Sequence, residues 1–337
     1  MIKRMIEISR EPCHLSVRLN QLVVQPNDTS QAAARTIPCE DIGLVLIDHP
    51  QVTMTHRALT TLMEFGAAVM VCGKNHLPCG LLVPLSEHTQ VVWRVQDQIN
   101  ASLPVTKRLW QQIVQAKVRA QAQNLPPHSP TRAMLLKLAG ETRSGDTSNI
   151  EAQAARIYWS SWLQPDGTPA SFSSLTAQAE IDSPNNSLKP GSAFQPFVRD
   201  SESLDPLNVL LNYGYAVLRA AVARALVSAG LFPAMGIHHR HRSNTFALAD
   251  DLMEPLRPLV DIRVRELHTN GKATANGLDQ MNKAFLLDVL NHTVSLGDQT
   301  GPLMVALHRY TASFLRCLKK EEEQLLIPTG KFEKGCG

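Results

Sequence analysis

The sequence predicts an α+β protein: a small β-rich N-terminal domain followed by a larger all-α domain. Two observations carry this. The first 85 or so residues alternate apolar and polar positions in short runs broken by turn residues, the signature of strands. After Ser86 the period changes to that of amphipathic helices and stays there to the end. The boundaries read as 1–86 for the β-rich domain, 87–320 for the helical domain with a loop insertion at about 164–203, and 321–337 for a flexible tail.

Taken in order, HLSVRLNQLVV alternates around a turn expected at Asn20-Gln21. IGLVLID, VTMT and AAVMVCG follow, separated by Pro50 and by the helical run ALTTLMEFG, which ends at Gly66. GLLVPL closes the region. In TKRLWQQIVQAKVRAQAQNL, Leu109, Ile113, Ala116 and Ala120 form one stripe, with Lys107, Lys117 and Arg119 off it, and Pro126-Pro127 stop the helix. DTSNIEAQAARIYWSSWL starts another helix with Ser148 or Asn149 as its cap. Gln164 to Ser203 is rich in Ser, Pro, Asn and Gly and reads as a long surface loop, partly disordered. Asp205-Pro206 and Gly230 then bracket a helix of roughly 24 residues by start and stop signals.

The bulk composition bounds function only loosely. A chain of 337 residues fits about two domains, and 33 Lys+Arg against 30 Asp+Glu leaves a net charge of +3, too small to name a partner. The N-terminus lacks the apolar core of a signal peptide, and Arg219 and Arg224 interrupt the most apolar stretch. No membrane span and a cytoplasmic location are therefore expected. The six cysteines form no CxxC pair and are expected as free thiols. Between residues 94 and 143, Arg94, Lys107, Arg108, Lys117, Arg119, Arg132, Lys137 and Arg143 face only Asp97 and Glu141. That mildly basic segment suits phosphate contacts or a plain solvated face.

The chemistry concentrates in GIHHRHRSNTFALADDLMEPLRPLVD, residues 236–261. With a helix from about Phe246, Leu248, Leu252, Leu256 and Leu259 share one side, and Asp250, Asp251 and Glu254 share another arc. Pro255 cannot donate to the carbonyl of Asp251, so the helix should bend there. Neighbouring carboxylates repel unless a cation lies between them. Carboxylates with an imidazole suit Mg²⁺ or Mn²⁺. His239 and Glu254 form one half of such a site, and Glu151, early in its own helix, is the strongest candidate for a third ligand. The competing reading is a salted helix face, with His238, His239 and His241 on a solvated loop. A zinc site built from HHRH would need all its ligands from one short loop. No GxSxG, P-loop or GxGxxG motif occurs in a strand–turn–helix setting, so nucleophile-elbow, nucleotide and dinucleotide readings have no anchor.

Three segments in this order, GDTSNIEAQAARIYW, LNYGYAVLRAAVARALVSAGLFPAMGIHH and FALADDLMEPLRPLVD, closely resemble the CRISPR-associated integrase of spacer acquisition, the universal "Cas one" family, in its type II-like branch. The N-terminal half agrees in IPCEDIGLVLIDHPQVTMTHRALTTLMEFGAAVMVCGKNHLPCGLLVPL. The resemblance implies a β-rich domain that forms a homodimer and a helical catalytic domain. It implies Mg²⁺ or Mn²⁺ held by the Glu of GDxxNxEA, the His closing GxxH and the acid ending DLME, here Glu151, His239 and Glu254, with Asp251 in support. It selects His239 over His238. The implied reaction joins the 3′-OH ends of a short double-stranded DNA fragment to phosphodiesters of a repeat array. Arg240, Arg242 and Arg257 beside the site, and Lys107, Lys117 and Arg119 from the basic segment, are then candidate phosphate contacts. Implied partners are the family's second adaptation subunit ("Cas two"), the type II effector nuclease and accessory adaptation proteins. A branched-DNA nuclease or a non-catalytic DNA-binding scaffold are the alternatives. The Gln164–Ser203 stretch departs from the family pattern.

Overall fold

The computed structural model describes residues 3–27, 33–84, 88–168, 197–273 and 278–330. The α+β class is borne out. Eight short strands come first: β1 (Arg4–Ile8), β2 (Cys13–Arg18), β3 (Gln21–Pro26), β4 (Arg35–Pro38), β5 (Ile42–Ile47), β6 (Thr53–Met54), β7 (Ala68–Cys72) and β8 (Pro78–Leu82). They form two four-stranded sheets, ordered β4-β3-β2-β6 and β1-β5-β7-β8. Helix α1 (His56–Glu64), capped by the Thr55 side chain, packs with both. Leu15, Leu22, Ile42, Val45, Leu62 and Val69 make a small core of their own. The first hairpin turns one residue earlier than expected: Arg18 pairs with Gln21, so the turn is Leu19-Asn20, both at positive φ, as a two-residue turn of matching twist requires.

Strand alternation couples this half to the helices. On β5 and β7, Leu44, Leu46, Ala68 and Met70 point into the main core, whereas Val45 and Val69 point into the small one. Two buried polar ties cross the same boundary. Lys283 pairs with Asp48, and Arg224 Nε donates to the Gly66 carbonyl at 2.6 Å.

The helical half comprises α2 (Val91–Ile99), α3 (Leu103–Gln123), α4 (Pro130–Glu141), α5 (Ile150–Ser161), α6 (Pro206–Ser228), α7 (Ala247–Met253), α8 (Arg257–Thr269), α9 (Gln280–Leu287) and α10 (Leu303–Leu318). Helix α6 begins and ends at its expected signals: Asp205 accepts from the Asn208 N–H at 3.1 Å, and Gly230 follows at φ 68°. Its faces are buried nearly all round, which makes it the central helix against which α7, α8 and α10 pack. No helix among the described residues is long and apolar enough to cross a membrane.

Two expectations need correction. The C-terminal half is mostly rather than wholly helical. Strands β9 (Thr293–Leu296), β10 (Gln299–Pro302) and β11 (Thr329–Gly330) form a three-stranded sheet, with Gly297-Asp298 as the turn of a tight hairpin. Residues 321–330 are not a flexible tail. Leu325 is buried, its N–H donates to Gln112 Oε1 at 2.8 Å, and β11 adds to the sheet edge. The apolar run QLLIP gives this segment a reason to dock. Most of the 164–203 stretch, residues 169–196, lies outside the described residues. Of its ends, Phe197 packs on Trp159 and Trp162, and Arg199 reaches Asn208 and Asn212.

Helices α6 and α8 touch at Gly214, where an added Cβ would stand 2.4 Å from Val260 Cγ1. Alanine is the better helix former by about 1 kcal/mol, but the overlap outweighs it. Gly214→Ala should destabilise the protein by ~1–3 kcal/mol in urea unfolding, and adding Val260→Ala should recover part of the loss.

Candidate active site

Three chain segments build the site. The first is the turn before α5. Asn149 occupies the expected cap position but makes no side-chain cap. The cap is supplied by Asp146, whose carboxylate accepts from Ile150 N at 2.7 Å and Glu151 N at 3.0 Å. Glu151 thus leaves the first turn of α5 with its backbone held.

The second segment is the loop Gly236–Arg240, held from α7 by Asp251. This carboxylate is fully buried and accepts from the N–H groups of Ile237, His238 and His239 at 2.7, 3.0 and 3.1 Å. His239 Nδ1 completes the set at 2.6 Å from Asp251 Oδ1. The neutral ring therefore carries its proton on Nδ1, leaving the Nε2 lone pair for a ligand. Gly236 is required by the tightness of this turn: a Cβ there would stand 2.4 Å from the His239 carbonyl oxygen and 2.9 Å from Asp251 Oδ2. Trp110 of α3 supports the loop, stacking on His238 at 3.9 Å and meeting His239 edge-on at 5.8 Å.

The third segment is the junction of α7 and α8. The expected bend at Pro255 takes the form of a 3-10 turn, Glu254–Leu256. Leu248, Leu252, Leu256 and Leu259 are all buried, as their stripe requires. The three acids do not share a solvated arc. Asp250 pairs with Arg219 at 2.6 Å and Asn244 at 2.8 Å, Asp251 holds the histidine loop, and Glu254 faces α3.

Lys117 stands at the centre. Its Nζ is 2.6 Å from Glu151 Oε1 and 2.5 Å from Glu254 Oε2. Burial alone would push this ammonium's pKa down, but Glu254 and then Glu151 more than offset it, and it stands above the ordinary lysine value. Burial pushes Glu254 up, and Arg257 and Lys117 together overcome that and hold it below the usual carboxylate range. Arg257 Nε lies 2.9 Å from Glu254 Oε1, and its guanidinium sits over the Tyr215 ring at 4.7 Å. Behind it, burial raises Asp261 to about 6, and Tyr215 donates a hydrogen bond to it.

Two expected phosphate contacts are thereby reassigned. Lys117 is buried, because α3 buries a band through Trp110, Val114, Lys117 and Gln121, whereas Ala116 and Ala120 line a surface groove. Arg257 is engaged with Glu254 and Tyr215. Arg240, Arg242, Lys107 and Arg119 are exposed, and Lys107 lies across Gly145 in the turn before α5. The inward-facing cation could have been found from the i, i+7 spacing of Trp110 and Lys117 on one helix face.

The donor set fits a hard divalent ion: two carboxylates and an imidazole with a fixed tautomer. Glu254 Oε2 fits it too, being buried with no hydrogen bond of good angle despite its ion pair. Among the described residues, however, no three His, Cys, Asp or Glu side chains stand close enough together to hold a metal ion as they are placed. The Lys117 ammonium stands between the two glutamates.

The comparison with known families decides the relationship. The family model described as CRISPR associated protein Cas1 matches residues 6–165 and 183–292. The chain belongs to this family. The gap in the match falls inside the stretch read as an insertion. A CRISPR-associated endonuclease Cas1 of Neisseria meningitidis is 34% identical over 317 residues, covering 93% of this chain and 92% of that one. One of Pyrobaculum aerophilum is 26% identical over 84% of this chain and 90% of its own length. Among solved structures, a casposase bound to its integration product superposes with a TM-score of 0.72 at 18% identity, over 96% of this chain and 92% of that chain. A Cas1 protein from Thermotoga maritima gives 0.68 at 17% identity, over 98% and 100%. A Cas6-RT-Cas1–Cas2 complex gives 0.69 at 19% identity, over 98% of this chain and 36% of that one. At such identities these neighbours establish the fold.

Two outcomes follow for the loop. Asp251→Ala strips three N–H groups and an imidazole of their acceptor, and should cost ~3 kcal/mol or more in thermal unfolding. The Asp251 hydrogen bond, against the smaller effect of burial, raises the His239 pKa above its ordinary value. The resulting stability is fully present below the unfolded pKa and is lost as pH rises through the folded one. In metal-free buffer the melting-temperature advantage of wild type over His239→Ala should therefore be largest near pH ~5.5 and shrink above pH ~7.

Proposed function

We propose that this chain is a metal-dependent DNA integrase of CRISPR spacer acquisition. The observation that supports this reading best is that, in a Cas1-family chain, Glu151 and Glu254 meet at one ammonium while Asp251 orients His239 on the loop beside them. Glu151, His239 Nε2 and Glu254 would hold Mg²⁺ or Mn²⁺. When bound, the ion supplies a Lewis acid for the scissile phosphate and neutralises charge on the attacking and leaving oxygens.

The chain's own residues do the rest. Asp251 holds His239 in the ligand tautomer, and Trp110 closes the back of the loop. Arg240 and Arg242, on the exposed side of the loop, face solvent where phosphates of a DNA backbone can approach, and Lys107 and Arg119 extend the positive surface along α3. These contacts position DNA without reading its bases. The attacking group is the fragment 3′-OH. Water in its place would give a nuclease instead, a second reading supported by the word endonuclease in the names of the relatives.

Double-stranded DNA and a Cas2-type subunit are the proposed partners, in keeping with the casposase product complex and the Cas1–Cas2 assembly among the fold neighbours. A homodimer through the β-rich half completes the proposal. Leu82 and Val71, exposed on β8 and β7, offer apolar surface for it.

The test is joining of labelled fragment DNA to a repeat-bearing plasmid, with the second subunit and Mg²⁺ or Mn²⁺. Glu151→Ala, His239→Ala and Glu254→Ala should each reduce joining to background, and full joining by His239→Ala would refute the site. Arg240→Ala and Arg242→Ala should weaken binding alike on all sequences and lower the salt slope by roughly 1 each.

A further inference from the structure

We propose that Lys117 is a resident counter-cation: it fills the gap between Glu151 and Glu254 while no divalent ion is there, and it must swing out before one is held. The inference rests on the metal-site reading above and adds a residue to it that acts against the metal.

Four observations carry it. One ammonium nitrogen lies within 2.6 Å of an oxygen of each glutamate, so it already claims the oxygens that a metal held by these residues would need. Lys117 and Glu254 are enclosed, with side chains 10% and 5% exposed, while Glu151 at 25% forms the open side of the group. Two carboxylates held this close, one of them buried, repel unless a cation lies between them, so the pair needs a resident cation whenever no metal is bound. Finally, the two cations at Glu254 are not equivalent. Arg257 is a planar group seated over the Tyr215 ring, whereas Lys117 is a point charge on a flexible four-carbon stem. Both contacts to Glu254 are ion pairs without a well-angled hydrogen bond, so it is the seat of Arg257 on Tyr215 that lets it stay beside Oε1 while Lys117 gives up Oε2. The ammonium thus competes directly with the metal.

The test uses the full chain and Mn²⁺ alone, with free Mn²⁺ followed by electron paramagnetic resonance. Lys117→Met should bind Mn²⁺ about tenfold more tightly than wild type, because a competing buried charge is gone. It should melt lower than wild type without metal and recover when Mn²⁺ is added. A second measurement needs no variant. In wild type, acetylation of Lys117, read by peptide mass spectrometry, should rise several-fold on saturation with Mn²⁺ as the side chain leaves its enclosure.

Mn²⁺ binding by Lys117→Met no tighter than wild type overturns the proposal, as does Lys117 acetylation that Mn²⁺ leaves unchanged. Glu151→Gln and His239→Ala separate this failure from failure of the underlying reading. If they bind Mn²⁺ as well as wild type does, the metal site itself is misplaced and the role of Lys117 falls with it. If they lose Mn²⁺ while Lys117→Met gains nothing, the site stands and only the competition is wrong.

Discussion

Buried carboxylates need partners, and in the helical half that requirement governs how the site is built. Asp250, Asp251, Glu254 and Asp261 lie within three turns of one kinked helical segment, and all four are buried. None could remain charged there unsatisfied. Together they draw three elements toward the segment: α6 through Arg219 to Asp250 and Tyr215 to Asp261, the 237–239 loop to Asp251, and α3 through Lys117 to Glu254. The same pairs that satisfy the acids fix the positions of α3, α6 and the histidine loop relative to α7 and α8.

This explains why a catalytic candidate can sit so deep in a core. The leucine stripe of α7 and α8 supplies the apolar contact that orders the segment, and the acids on its other faces are tolerated because their partners arrive with the fold. The Pro255 bend contributes by breaking the helical ladder where Glu254 has to turn toward α3. The loop geometry at Gly236 and the tautomer of His239 both follow from one acceptor, Asp251. A positioning acid thus fixes the histidine, and the histidine's remaining nitrogen is left available.

Much of this was legible in one dimension. The turn signals placed α6 to within a residue at its N-terminus, the leucines of α7 and α8 announced their buried side, and the order of three motifs pointed to the family and its candidate ligands. Short-range signals were less reliable where long-range contacts competed. Leu19 occupies a positive-φ turn position because the strand register demands it. The 321–330 segment looked polar enough to fray, yet Leu325 and β11 find a sheet edge and a helix that precede them by many residues. A cap was expected from Asn149 or Ser148 and came from Asp146, because the left-handed turn swings that carboxylate back over the first N–H groups of α5.

By itself, the sequence determined the fold class, the central helix and the residue types that could hold a cation, since periodicity, caps and motifs are local properties of the chain. Which acid met which base was a tertiary matter. Helical spacing put Lys117 off the apolar stripe and suggested solvent, but packing of α3 against α5 and the α7–α8 bend enclosed it between two glutamates. Arg257 was turned inward in the same way by Glu254 and Tyr215. Charge in a core is paired through space, across 34 residues for Lys117 and Glu151, and no local pattern encodes that distance.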